Sequence, residues 1–149
     1  MGLATKELAK THRLIEKLLE GFNLRNPRFG DIRKTIRRAV AAHAWMQDEI
    51  LTPAVKSKIC LQKCFLKEME QEHKDLDSLF KLLNAIPVDR EGEVNVLLLQ
   101  IRGILEAHVW KEAGALYPLV EKCVDEKILY ELGSQMEQRK DEVRKLGKK

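Results

Sequence analysis

Four apolar stripes of helical period run along this chain, and each is interrupted by a histidine. The stripes are Ala4, Leu8, Ile15, Leu19 and Phe22; Ile32, Ile36, Ala39, Val40, Ile50 and Ala54; Phe65, Met69, Leu76, Phe80 and Leu83; and Leu97, Ile101, Ile104, Ala115 and Leu119. Steps of three and four residues put each set on one face of an α-helix. His12, His43, His73 and His108 fall on those same faces. Burying the four stripes against one another therefore carries four imidazoles into the interior.

The stripes predict four long helices. The first runs from Ala4 or Thr5 to Phe22 and breaks in the Asn23–Gly30 stretch. The second runs from Asp31 to Ser57, with Asp31 able to cap it and Pro53 set to kink it. The third covers Ile59 to Ile86 and stops at Pro87. The fourth covers Glu93 to Lys122. A thinner stripe of Ile128, Leu132 and Met136 predicts a last helix over Asp125–Lys145 that packs across the others or frays. With four Pro and eight Gly in 149 residues, nothing suggests strands. The predicted organisation is an all-α, up-down-up-down four-helix bundle over residues 1–124, followed by an additional C-terminal helix and basic tail over 125–149. Short connections favour antiparallel neighbours. At a rise of about 1.5 Å per residue, the four histidines then fall within a turn or two of one level.

Composition narrows the function classes. The net charge of +4, from 27 basic and 23 acidic residues, is a mild excess and argues against a nucleic-acid role. No apolar run reaches the length of a membrane span. Cys60, Cys64 and Cys123 make an odd set without a C-x-x-C pair, which fits a reducing compartment. The N-terminus lacks a signal-type apolar core. Cytoplasmic location is the resulting expectation.

Residues 42–55 align with 107–120 without gaps. Ala42, His43, Trp45, Leu51, Pro53 and Val55 meet Ala107, His108, Trp110, Leu116, Pro118 and Val120. The second and fourth helices are thus expected to be equivalents about an approximate two-fold axis. His12 with Glu16 and His73 with Asp77 repeat more weakly. Residues four apart share a helix face, so His108 and Glu112 can reach one metal ion, or the carboxylate can bridge two. Nitrogen and oxygen donors of this kind suit iron, zinc, manganese or copper. A bundle core with room for two ions favours iron. Trp45 and Trp110 are expected to pack at helix seams, as is Tyr117, which is also near enough in sequence to approach the centre. Cys60 and Cys64 are expected as a buried thiol pair.

Taken in order, His12, His43 with Gln47, His73, and His108 with Glu112 resemble the hemerythrin-like, cation-binding HHE domain family, over about residues 5–122. The Leu-x-Pro after each pair, Leu51-Thr-Pro53 and Leu116-Tyr-Pro118, is also typical. The resemblance implies a bundle around a non-haem iron centre, usually of two ions, that binds or senses oxygen or a similar diatomic. The family's other roles, peroxide or nitric-oxide handling and iron–sulfur repair, are the alternative. A further alternative is an interaction bundle with a degenerate site. Binding is expected rather than catalysis, with a protein partner reached through the last helix. The implied ligands are His12, His43, His73, His108 and Glu112. One departure stands out: Gln47 occupies a carboxylate position. Asp48, Asp77 and Glu16 are further candidates, either as ligands or as acids that orient an imidazole. In an ideal α-helix Asp48 is rotated roughly 140° from the His43 face, which argues against it as a ligand.

Overall fold

The computed structural model describes residues 2–57 and 63–147, and every regular element among them is helical. The elements are α1 (Leu3–Glu20), α2 (Phe29–Trp45), a π-helical segment (Met46–Leu51), α3 (Thr52–Val55), α4 (Lys63–Ala85), α5 (Glu91–Lys111), a second π-helical segment (Glu112–Leu116), α6 (Tyr117–Cys123) and α7 (Glu126–Gly147). They form a helical bundle in which α1 packs on α2, α4 on α5, and α7 on α1. No described helix is long and apolar enough to cross a membrane.

The two π segments have one cause, written twice in the sequence. Pro53 and Pro118 have no N–H to give to the carbonyl four residues back, and their rings crowd it. The helix widens ahead of each proline, so that the Thr52 N–H bonds to Gln47 O and the Tyr117 N–H bonds to Glu112 O, five residues back in both cases. The predicted kink at Pro53 is therefore an inserted residue. Its effect on packing is visible in the fourth stripe. Beyond Glu112 the buried positions are Leu116, Tyr117 and Val120, whereas the expected Ala115 is exposed. Leu51 and Val55 are the matching buried pair in the earlier segment.

The helix limits follow local chemistry. α1 ends at Gly21, whose N–H closes on Leu18 O while the next N–H, of Phe22, closes on Leu19 O. Its last carbonyls also receive a side chain, since Arg102 Nη2 donates to Leu19 O at 2.6 Å and to Phe22 O at 3.3 Å. This satisfies acceptors that a helix end leaves open. α2 starts two residues earlier than the Asp31 signal predicts. Asp31 forms no cap hydrogen bond and lies in the first turn, where its charge complements the helix dipole. α7 comes close to α1 because Gly133 has no Cβ. One built there would lie 2.5 Å from Leu3 Cγ and 2.8 Å from the Ala4 nitrogen.

The core has two apolar clusters with a polar layer between them. One holds Ile15, Leu19, Phe22, Ile36, Val40, Leu76, Phe80, Leu83, Ile101 and Leu105 among others. The other holds Leu8, Met46, Ile50, Leu51, Met69, Leu116 and Val120, together with Leu129, Leu132 and Met136 of α7. His12, His43, His73 and His108 lie between the clusters along their helices, and all four are buried. The two tryptophans of the repeat part company. Trp45 is half-buried under the Arg139 guanidinium, 5.2 Å from its ring centroid. Trp110 is 77% exposed, contrary to the expected seam position, because α7 covers the α1 side and no described element covers α5 there. Of the expected cysteine pair, Cys60 lies outside the described residues, as does the Cys64 side chain; Cys123 is a free, partly buried thiol.

Candidate metal centre

α1, α2, α4 and α5 each deliver one imidazole to the polar layer, and all four present Nε2 to a common space. His12 Nε2 and His43 Nε2 are 3.2 Å apart, and His73 Nε2 and His108 Nε2 are 2.9 Å apart. Glu112, 0% exposed, lies between the two pairs. Its Oε1 is 3.0 Å from His43 Nε2, 3.5 Å from His12 Nε2 and in contact with His108 Nε2; its Oε2 is 3.3 Å from His43 Nε2. The donor atoms of His43, His73, His108 and Glu112 all lie within 4.8 Å of one another. Donors bound to one ion at about 2.1 Å stand about 3.0 Å apart when adjacent and about 4.2 Å apart when opposite. The group is of a size to hold a metal ion.

Three imidazoles have their tautomer set from behind. Thr11 Oγ1 donates its single proton to Leu8 O at 2.7 Å, so toward His43 Nδ1, at 2.8 Å, it can only accept. His43 therefore carries its proton on Nδ1. His73 Nδ1 donates to Asp48 Oδ2 at 2.8 Å, and His108 Nδ1 donates to Glu72 Oε1 at 3.0 Å. Glu72 is held in turn by Lys111 Nζ, 2.7 Å from its other oxygen. In the neutral rings this leaves the Nε2 lone pairs of His43, His73 and His108 aimed inward at a carboxylate. Lone pairs and an anion facing one another in a buried space require positive charge between them. Metal-binding histidines have this pattern of outer hydrogen bonds as a rule.

The electrostatics follow the same geometry. Burial works to raise the Glu112 pKa, but the charge of His43 and the hydrogen bonds that His108, His12 and His43 give when their rings are protonated outweigh it and hold the carboxyl well below its usual range. Burial lowers the pKa of His43, against the opposing pull of Glu112. For His108 burial again acts downward, but Glu112 and Glu72 outweigh it and the net shift is upward. Tyr117 is pushed well above its usual value by burial and by the Glu112 charge, so its hydroxyl keeps its proton. That hydroxyl donates to Glu112 Oε2 at 3.0 Å and lies 3.1 Å from His12 Nε2.

Gln47 is buried against Glu112 and can present either end of its amide. With nitrogen inward it donates to both Glu112 oxygens, to Oε1 at 3.2 Å, and comes within 3.3 Å of His43 Nε2. With oxygen inward it adds one more acceptor to the centre, and its nitrogen rests 3.9 Å from Met69 Sδ. The first orientation suits a centre without a cation; the second suits one that holds a cation.

The remaining candidates are sorted by position. Asp48 bonds to the outer nitrogen of His73 and does not enter the donor cluster; its Oδ1 is buried without a hydrogen-bond partner among the described residues. Asp77 does not belong to the site. Its side chain is 55% exposed and pairs with Lys81 Nζ at 2.9 Å, because it lies on the outer flank of α4. Glu16 is also exposed and stands on the lining of a surface cavity, so it neither ligates nor orients His12. Sequence reasoning missed Thr11 and Glu72, and gave Tyr117 a seam role by default while noting that it could approach the centre. Tyr117 reaches the centre because the π turn brings residues five apart onto one face, a shift that Pro118 signals. Glu72 lies next to His73 in sequence but serves His108 across the helix interface, which no spacing rule shows.

No protein-family model, curated protein or solved structure matches this chain.

Proposed function

We propose that this chain is a hemerythrin-like protein: an up-down-up-down bundle whose polar layer holds two iron ions and reversibly binds or senses oxygen or a similar diatomic. The observation that carries this reading is the convergence of four Nε2 atoms on one buried carboxylate, three with their Nδ1 protons committed elsewhere. The close pairs, His12 with His43 and His73 with His108, make two donor sets that share Glu112. A carboxylate so placed suits a bridge between two ions. Mixed imidazole and carboxylate donors suit iron. Gln47 costs the inner set one negative charge, and Asp48 and Glu72 supply anionic charge just outside it through His73 and His108. This charge distribution favours the ferrous state at rest.

A second reading is favoured by one distance. The group that closes within 4.8 Å contains His43, His73, His108 and Glu112 without His12. On that reading the centre holds one ion, and His12 and Tyr117 line its open side. The test of function is the optical spectrum of iron-loaded protein, first anaerobic and then in air. Reversible growth of ligand-to-iron absorption on oxygenation is the expected result. Irreversible oxidation without such a band would reject oxygen carriage in favour of redox turnover.

A further inference from the structure

A cavity of about 240 Å³ opens between α1 and the α5–α6 region, and its lining reaches the polar layer. Ala9, Val109, Ala113 and Pro118 give it apolar walls, and His12 and Tyr117 belong to its lining although both are almost fully buried. Those two residues are therefore its innermost part. Arg13, Glu16 and Glu121 also line it, with Glu16 exposed. At the inner end the atoms differ in kind. Glu112 belongs to the metal-donor cluster and His12 Nε2 lies 3.5 Å from its Oε1, whereas the Tyr117 hydroxyl, 3.1 Å from His12 Nε2 and 3.0 Å from Glu112 Oε2, brings a proton.

We propose that small exogenous ligands enter through this cavity and are held beside His12 by a hydrogen bond from the Tyr117 hydroxyl. The inference rests on the metal-centre reading above and adds to it an entry path and a ligand-binding residue. When Glu112 turns its oxygens to a cation, the Tyr117 proton is released from Oε2 and is free for an acceptor atom on the incoming ligand. The ligand class is a two- or three-atom molecule with an acceptor at its outer end. Ala9, Val109, Ala113 and Pro118 admit it with little loss of hydration, and the hydroxyl supplies a hydrogen-bond donor at the inner end.

Azide is the probe, added to iron-loaded, oxidised full-length protein, with the azide-to-iron absorption band read against concentration and time. Tyr117→Phe keeps the ring and removes the donor. With iron content unchanged it is expected to weaken azide binding about tenfold, the worth of one buried hydrogen bond. Ala113→Leu narrows the cavity from its exposed rim and is expected to slow azide association severalfold while changing affinity within about twofold. Four results would overturn the proposal: unchanged azide affinity in iron-replete Tyr117→Phe; unchanged association rate in Ala113→Leu; no azide binding by the wild-type protein; or loss of iron, or of a phenolate-to-iron band present before azide, in Tyr117→Phe, which would put the phenol on the metal. Failure of the wild-type protein to take up iron would instead defeat the underlying metal reading, and this proposal with it.

Discussion

Replacing Thr11 with valine separates a metal centre from a buried hydrogen-bond network of the same shape. Valine fills nearly the same space but removes the oxygen that accepts from His43 Nδ1 at 2.8 Å. An orphaned buried N–H costs about 1–3 kcal/mol. In metal-free protein His43 has an escape: its proton can move to Nε2, which then donates to Glu112 Oε1 at 3.0 Å. The stability loss there should shrink to about 1 kcal/mol, the net value of an ordinary hydrogen bond. In the metal-loaded protein the escape is closed, because Nε2 must keep its lone pair for the ion. The full cost then falls on binding, and affinity should drop about 10–100-fold, the usual effect of losing an outer hydrogen-bond partner. Competition with a chromophoric chelator under anaerobic conditions gives the affinity, and urea unfolding of the metal-free protein gives the stability. Metal affinity within about twofold of wild type, less than about 0.5 kcal/mol, together with a metal-free stability loss near the top of the range, would refute the argument. His43 would then be a structural histidine held by Thr11.

Other perturbations should behave as follows. His73→Ala and His108→Ala should each weaken metal binding by more than the about 10–100-fold typical of an outer partner. Far-ultraviolet circular dichroism should stay helical, because the two apolar clusters lie on either side of the site and do not depend on it. Gln47→Glu should tighten ferric binding by adding an anionic donor beside Glu112, whereas Asp48→Asn should cost only the about 10–100-fold expected from its bond to His73 Nδ1. Loss of all iron in Asp48→Asn with no effect of Gln47→Glu would make Asp48 the ligand. Metal-free protein should be most stable near pH 6.5, the ordinary histidine value. The His43 pKa is lowered, so its contribution is complete above 6.5 and declines as pH falls below it. The His108 pKa is raised, so its contribution is complete below 6.5 and is lost as pH rises through the folded value. Glu112 adds a steep acid loss below 4.5, as pH falls toward its depressed folded value. Urea titrations across pH should trace this peak, and Glu112→Gln should remove the steep loss below 4.5 while leaving the His43 decline below 6.5; a stability still rising above pH 8 would contradict the assignment of His108.

The sequence carried the helices and the level of the histidines because both rest on period alone. Leu8 and Ile15 flank His12, and Leu76 and Phe80 follow His73, on single faces that only a helix makes. What period could not carry was any change of period. The inserted residues before Pro53 and Pro118 moved the buried face from Ala115 to Leu116 and brought Tyr117 to the centre. Partners across helices were equally invisible: the Thr11 hydroxyl that fixes His43 and the Glu72 carboxylate that fixes His108 are chosen by interhelical distance. Asp77 misled because it sits four residues after His73, yet side chains four apart still diverge enough to leave one at the rim of a helix face. Trp110 misled because its repeat partner Trp45 is covered by α7, and a repeat in sequence does not repeat the cover.

The most direct test of the central claim is an anaerobic titration of metal-free protein with ferrous ion, with bound metal counted by elemental analysis after removal of excess. Saturation at about two ions per chain, falling in both His12→Ala and His73→Ala, is the expected result for two donor sets sharing Glu112. Saturation at one ion, unaffected by His12→Ala, would contradict the paired centre and leave a single site of His43, His73, His108 and Glu112. No uptake at all would contradict the metal centre itself.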